Sequence, residues 1–367
     1  DVCSSDLTAL QAHFDLQALA NFLAWESFTR HTSGYADTGS NCWIYAGDPV
    51  AKLRLVPRNL NRLFVACQVP ALAQKNGPVA RALLASGAGR REFLNALGRM
   101  VQDSQIETQL LAAVRQRAEA LSSLAVGFAE YHFLNLQARQ LLESLPTRFA
   151  SVRQELLRYQ HLSDQELRAL VLPQVIELPS TTVAPATPSA TNGATVATSF
   201  LSLVAKSQTL TSSLPAKLYE VRLSAQTGVL ENLTWQAKDW DQASVASPLF
   251  ETNQVSVRIK GASTRRNFRA KPSLTFKYNS PGASGEKRLF KLHFHNALFN
   301  PSFVNEYCAY WLFHRAGLVC PEVNFARLCC NGRDYGLYVV VGGVSPAFLE
   351  SAFGETNGLL FEGELGD

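Results

Sequence analysis

The spacing of apolar residues changes along the chain. Between residues 8 and 171 most apolar positions recur every three or four residues, which is typical of helices that bury one face. From residue 216 onwards they alternate or form β-branched runs, as in Val255–Ile259 and Leu274–Tyr278, and this predicts strands. The pattern therefore predicts an α+β protein, with a mainly helical half followed by a β-rich half.

Local signals predict where several elements begin and end. Ser104–Glu107 and Ser163–Glu166 each have the Ser-x-x-Glu spacing of a capping box, which predicts two helix starts. Gly317 follows a helical segment that starts near Pro301, and a glycine there is typical of the residue after a helix end. Asn331-Gly332 separates two strand-like segments and predicts a two-residue hairpin turn.

Residues 41–65 interrupt the helical half, with two short strands predicted around Gly47-Asp48-Pro49. Pro57-Arg58-Asn59-Leu60-Asn61 follows them. Side chains at alternate positions of an extended segment point the same way, so Asn59 and Asn61 are predicted to address one site. Carboxylates at this spacing would hold a divalent cation, whereas asparagine offers only a neutral carbonyl oxygen. The stretch therefore predicts a neutralised metal site.

Composition divides the chain further. Residues 172–215 are rich in Ser, Thr, Ala and Pro and nearly uncharged, which is typical of a flexible linker and commoner in exported proteins. Residues 1–7 lack the basic start and apolar core of a signal peptide and match the translation of a sequencing-library adapter. We interpret 1–7 as an adapter-derived artefact that leaves localisation open. The two halves are then 8–171 and 216–367.

Charge and hydropathy restrict the class of partner. Of the 367 residues, 47% are hydrophobic and 17% are charged, as in an ordinary globular protein, and no apolar run is long enough for a membrane span. The net charge of +4 does not argue for nucleic acid. The cysteines lack zinc-site spacing, so they are interpreted as buried free thiols, or as a disulfide of Cys320 with Cys329 or Cys330 if the protein is exported. They are Cys3, Cys42, Cys67, Cys308, Cys320, Cys329 and Cys330.

A basic run marks the β-rich half. Ten basic residues and one acid, Glu286, lie between Arg258 and Lys291. The turn at Lys260–Ser263 could hold phosphate through backbone N–H groups and nearby cations, or the run could be a solvated face. Lys271 differs because it precedes a strand predicted to be buried, from where it can reach one fixed point in a cleft. The ten are Arg258, Lys260, Arg265, Arg266, Arg269, Lys271, Lys277, Lys287, Arg288 and Lys291.

Three histidines, His31, His293 and His295, are candidates for a chemical role. His31 lies in a loop after the helix of Phe14 to Phe28, where a catalytic acid or base or a structural histidine would both fit. Ser33 has no evident histidine and aspartate partners, so a serine nucleophile is not expected. His293 and His295 have alternate spacing, but no third ligand can be named, and a strand edge is the simpler interpretation.

Spaced motifs in the β-rich half resemble those of the spore coat protein H (CotH) kinase-like family. They are Val257–Thr264, Lys271–Tyr278, Tyr310–Pro321 and Asn331–Tyr338. The helical half is similar to the other half of the same family through shorter motifs. These are His31–Tyr35, Asn41–Tyr45 and Pro57–Asn61.

The resemblance implies an atypical protein-kinase-like fold, with a β-rich N-lobe-like half for the nucleotide and a helical C-lobe-like half carrying metal-binding acids. It implies transfer of phosphate from ATP, with Mg²⁺ or Mn²⁺, to proteins in spore coats or at cell surfaces. Lys271 and Asn41 are retained as cofactor-binding positions. The positions that differ, where the family has aspartates or the glutamate that pairs with the lysine, are Ser33, Asn59, Asn61 and Gly342.

These differences predict a pseudokinase, because phosphoryl transfer depends on positioning and on charge neutralisation by bound metal. An exported binding or scaffold module is the first interpretation, with its protein partner or substrate unknown. The alternatives are an active atypical protein kinase and a structural coat or adhesion protein without a nucleotide site.

The helical half precedes the β-rich half, opposite to the family order. This favours two tandem domains, each cut at one end. One permuted domain is the alternative, and it would bring Lys271 to face Asn59.

Overall fold

The computed structural model describes residues 2–31, 33–47, 52–60, 63–64, 69–73, 75–125, 127–171, 218–225, 240–261, 265–281, 287–298 and 301–362. They form a helical region and a barrel region, which confirms the α+β class. The linker predicted at 172–215 lies outside the described residues, as do Asn61 and the Asp48-Pro49 part of the predicted turn.

Eight helices are described in the helical region. They are α1 Val2–His13, α2 Leu16–Thr29, α3 Tyr35–Thr38, α4 Pro78–Ala85, α5 Gly87–Gln102, α6 Ser104–Ser122, α7 Gly127–Tyr159 and α8 Asp164–Val171. The second capping box is confirmed, since Glu166 accepts the backbone N–H of Ser163 at 2.8 Å and Ser163 Oγ accepts that of Glu166. The helix start predicted at the first capping box, Ser104–Glu107, is one residue late, because the capping residue of α6 is Asp103.

A small antiparallel sheet joins the helical region to the far end of the chain. Its strands are β1 Cys42–Ala46, β2 Arg54–Pro57 and β10 Leu359–Glu362, in the order β10-β1-β2. The two strands predicted between residues 41 and 65 are thus confirmed. The extended conformation predicted for Pro57–Asn61 is wrong at Asn59, which has a left-handed φ of 54° just after β2 ends.

Seven strands close into a barrel in the order β3-β4-β5-β6-β7-β9-β8. They are β3 Leu218–Ser224, β4 Asp241–Ala246, β5 Gln254–Lys260, β6 Ser273–Pro281, β7 Lys287–His295, β8 Val323–Cys330 and β9 Arg333–Gly342. Alternate residues fill the barrel, among them Val257, Phe276 and Phe294. Their neighbours in sequence point outwards, which puts Arg258, Thr275 and His293 side by side on the outer face.

Two helices complete the barrel region, α9 Val304–Arg315 and α10 Pro346–Phe353. Gly317 follows α9 with a φ of 72°, as predicted for a residue just beyond a helix end. Asn331 and Gly332 both have positive φ and join β8 to β9, which confirms the predicted hairpin turn.

The two regions are packed through a common core. One cluster of buried apolar residues includes side chains of α2, α5 and α7 together with α9 and the outer face of β8 and β9. The ring of Phe22 in the helical region contacts the ring of Phe313 in the barrel region, with centroids 5.7 Å apart. Both sequence halves therefore belong to one packed body, and their tandem or permuted origin stays a prediction.

Three cysteines, Cys42, Cys308 and Cys320, belong to this common core. The five cysteines whose side chains are described are free thiols, and the predicted bond of Cys320 with Cys329 or Cys330 is not formed. The Cys320 thiol instead lies 3.6 Å from the carbonyl oxygen of Tyr310. Within the described residues, no helix combines the length and apolarity that a bilayer crossing needs.

Candidate functional site

A buried carboxylate fixes the loop that follows α2. Glu26, 2% exposed, accepts the backbone N–H groups of Tyr35 at 3.0 Å and Ala36 at 2.6 Å, and it lies 3.1 Å from Nδ1 of His31. The other ring nitrogen of His31 lies 3.2 Å from the carbonyl oxygen of Asn59. His31 is therefore a structural connection between the α2 loop and the segment after β2, and Glu26 anchors it.

The predicted metal-side positions meet beside this histidine. Asn59 Nδ2 donates to Asn41 Oδ1 at 2.7 Å, and Asn41 Nδ2 donates to the carbonyl oxygen of Ser33 at 2.5 Å. Both asparagines have left-handed φ angles, which asparagine adopts more readily than most residues. The structure thus brings Ser33, Asn41 and Asn59 into one neutral network, the amide network.

The amide network does not fit Mg²⁺ or Mn²⁺. Such cations are held through carboxylate oxygens, but the amide network offers only neutral oxygens. Asn41 Oδ1 and the Ser33 carbonyl already accept hydrogen bonds from the network itself. Among the described residues, no three His, Cys, Asp or Glu side chains converge as a metal site would require.

Lys271 has an acidic partner, Glu130, at a position that the sequence did not predict. Its ammonium lies 3.0 Å from Glu130 Oε1 on α7 and about 5 Å from the ring centres of Phe303 (5.0 Å) and Tyr338 (5.1 Å). Burial lowers the pKa of Lys271, and the Glu130 carboxylate acts in the opposite direction. Glu130 Oε1 also accepts the backbone N–H of Leu337 at 3.2 Å.

Gly342, the predicted position of the missing partner, ends β9 and donates its N–H to the backbone carbonyl oxygen of Glu322. The prediction that Lys271 lacks an acidic partner is therefore wrong. No local motif marks Glu130, which precedes Lys271 by 141 residues.

A second polar arrangement lies on the outer face of the barrel. Nζ of Lys260, at the end of β5, lies 2.7 Å from Nε2 of His295, whose Nδ1 is 2.9 Å from both carboxylate oxygens of Glu306 on α9. His295 and Glu306 are 9% and 4% exposed, and Lys260 is partly exposed. We call these three residues the lysine relay.

The interpretation of His293 and His295 as a strand edge is wrong, because β7 pairs with β6 and with β9.

Cations surround the lysine relay. Burial lowers the pKa of Lys260 to about 8, with Glu306 opposing this shift and Arg58 and Arg258 adding to it. Burial and the nearby Lys260 ammonium lower the pKa of His293 well below its usual value. Arg58 forms an ion pair with Glu362 of β10, which links the segment before Asn59 to this face.

The basic run is thus divided among different environments. Arg258 and Lys277 both lie over the ring of Trp240, at 4.6 and 4.0 Å from its centre. Lys260 belongs to the lysine relay and Lys271 to the pair with Glu130. Gly261 has a φ of 109°, while residues 262–264 lie outside the described part, so phosphate binding by this turn stays a prediction.

The comparisons with known proteins bear on the barrel region. A comparison with curated proteins finds no match. The family model described as CotH kinase protein matches residues 257–366, from β5 through the hairpin and α10 to the strand that joins the small sheet. This part of the chain, which contains Lys260, Lys271, His295 and Glu306, is therefore similar to the CotH kinase family.

Proposed function

We propose that the protein is a kinase-like protein of the CotH type that does not transfer phosphate and acts as a binding or scaffold module. The amide network carries the proposal. A transferred phosphoryl group needs cations that neutralise its charge, and these cations need carboxylates. Ser33, Asn41 and Asn59 supply neutral groups that bond to one another.

The packing of the two regions supports a two-lobed, kinase-like arrangement. The barrel region would be the nucleotide-side lobe, and the helical region with its amide network would be the metal-side lobe. Both contribute to one core and to one sheet, as two lobes of a single domain would.

One observation favours retained nucleotide binding, and with it the alternative of an active kinase. In kinases a lysine paired with a glutamate orients the ATP phosphates. Lys271 and Glu130 form such a pair, although the glutamate comes from α7 of the helical region. ATP binding without efficient transfer is the form of the pseudokinase that this pair supports.

We also propose that the protein is exported and binds a protein partner at a cell surface or in a coat. The Ser, Thr and Pro content of residues 172–215 supports export, since such segments are commoner outside the cytosol. The structural alternative, a coat or adhesion protein with no nucleotide site, predicts the same location but no response to ATP.

Labelled phosphate incorporation from ATP with Mg²⁺ or Mn²⁺ tests the proposal. We expect no incorporation by the wild-type protein and a rise in melting temperature with ATP that Lys271→Met abolishes. Metal-dependent incorporation that is lost in Lys271→Met would overturn the pseudokinase. An ATP-independent melting temperature would favour the structural alternative.

A matched gain-of-charge variant sharpens the same experiment. Ser33→Asp, Asn59→Asp and Asn61→Asp together return carboxylates to the three positions at which the family has them. We expect this triple variant to gain stabilisation by Mn²⁺ relative to the wild type. A variant that folds but shows the wild-type response to Mn²⁺ would contradict the assignment of these positions to the metal side.

A further inference from the structure

The chemical groups of the lysine relay determine which atom donates and which accepts in each of its hydrogen bonds. A lysine ammonium only donates, so Nε2 of His295 must accept at the 2.7 Å contact with Lys260. Nδ1 then carries the ring proton and donates it to Glu306 at 2.9 Å. His295 is therefore a neutral imidazole that faces the ammonium with its free lone pair.

This order of groups allows His295 to take a proton from Lys260. When the proton moves to Nε2, the amine becomes neutral and the imidazolium is stabilised by the buried Glu306 carboxylate. Lys260, His295 and Glu306 thus correspond to the nucleophile, the histidine base and the orienting carboxylate of enzymes that use covalent catalysis. Of the charges that face Lys260 from the neighbouring elements, Arg58 and Arg258 favour loss of its proton, whereas Glu306 and Glu362 oppose it. His293 faces Lys260 as a neutral ring, because burial and the Lys260 ammonium lower its pKa.

Lys271 provides an internal contrast in the same barrel. Its ammonium contacts a carboxylate directly and lies over two aromatic rings, and both arrangements favour the charged form. Lys260 instead contacts a base that can accept its proton. Of these two lysines, only Lys260 is set up to react as an amine.

We propose that Lys260 is a nucleophilic amine that binds small anionic aldehydes or ketones as an imine. Its nitrogen attacks the carbonyl carbon and a C–N bond forms. The carbonyl oxygen takes up one proton from the attacking nitrogen and one that His295 returns, the C–O bond breaks and water leaves, so the lysine remains as a protonated imine. The reaction releases one water and involves no oxidant or reductant. The cations around Lys260 select for a negatively charged group on the carbonyl compound. This reaction requires neither nucleotide nor metal, so it stands apart from the proposed function.

Pyridoxal 5′-phosphate is a suitable probe because it joins an aldehyde to a phosphate. The whole protein is incubated with a limiting amount, the imine is reduced with borohydride, and the modified lysines are identified by peptide mass spectrometry. We expect Lys260 to be modified about tenfold or more faster than Lys271 and Lys277, and pyridoxal without its phosphate to react at least about tenfold more slowly. Similar rates at all three lysines would overturn the proposal.

The role of the lysine relay is tested separately. Glu306→Gln keeps the shape of the side chain but removes the charge that stabilises the imidazolium, and we expect modification of Lys260 to slow by about 100-fold. Glu322→Gln, an exposed change, is the control. An unchanged rate in Glu306→Gln would refute the relay.

Because Glu306→Gln could also perturb folding, the wild-type pH profile gives a second measurement. Modification at Lys260 should rise through pH 8, where its lowered pKa lies; a rate that stays constant between pH 7 and pH 9 would count against the proposal.

Discussion

The amide network and the lysine relay differ in how they satisfy their polar groups. Asn59, Asn41 and Ser33 bond to one another without any charge. Lys260, His295 and Glu306 form a chain that requires a cation at one end and an anion at the other. Breaking the first costs a hydrogen bond, whereas breaking the second leaves a charge without its partner. Polarity alone therefore does not identify a reactive site, and the placement of charge does.

The largest effect is expected from the buried end of the lysine relay. Glu306→Ala removes the only described carboxylate within hydrogen-bond distance of His295, and we expect the free energy of unfolding to fall by about 3 kcal/mol. Urea denaturation at pH 7 measures the change. Glu322→Ala, at an exposed position, should stay within about 0.5 kcal/mol of the wild type. Equal losses of unfolding free energy in the two variants would show that the lysine relay does not stabilise the protein.

The second largest loss of stability is expected from breaking the ion pair of Lys271 with Glu130, which joins the barrel region to the helical region. Lys271→Met leaves Glu130 partly buried beside the backbone of Leu337, and we expect a loss of about 2 kcal/mol. A double-mutant cycle with Glu130→Gln isolates the interaction, and the coupling free energy should exceed about 0.5 kcal/mol. A coupling of zero would mean that the two side chains do not stabilise each other.

A smaller effect is expected in the amide network. Asn59→Asp replaces a donating amide by an oxygen that faces Asn41 Oδ1, so the protein should lose about 1 kcal/mol. Asn95→Asp, an exposed change on α5, controls for added charge. Thermal melts with and without Mn²⁺ give the second readout, since only the variant at position 59 should be stabilised. Equal melting temperatures for both variants would show that the hydrogen bond from Asn59 to Asn41 adds no stability.

The smallest effect is a pH dependence. The pKa of Lys260 is lowered from 10.5 to about 8 in the folded protein. Between these values the unfolded chain binds more protons at this residue, so its contribution to stability rises with pH through that interval. The unfolding free energy of the wild type minus that of Lys260→Met should therefore increase from pH 7 to pH 9. A difference that is constant or decreases would contradict the lowered pKa.

Features encoded by neighbouring residues were predictable from the sequence. The turn at Asn331-Gly332, the helix end at Gly317 and the box at Ser163–Glu166 each depend on residues a few positions apart. The conformation of Asn59 was not predictable in this way. Its left-handed φ breaks the two-residue period on which the paired Asn59 and Asn61 site was based.

Partners distant in sequence were missed because no spacing marks them. Glu130 meets Lys271 only after α7 has packed near the end of the barrel, and Lys260 meets His295 only through the register of β5, β6 and β7. His293-Phe294-His295 gave a partial signal, since its alternation places both rings on one face of a strand. The partner of that face, Glu306, lies on the next helix, 11 residues after His295.

The small sheet has a consequence for synthesis of the chain. β1 ends at Ala46, and its partner β10 begins only at Leu359. At about 5–20 residues per second, roughly 15 to 60 seconds separate the emergence of the two strands from the ribosome. During that time one edge of β1 has unpaired backbone groups and can recruit a strand from another nascent chain. Faster translation or a bound chaperone should therefore raise the yield of folded protein.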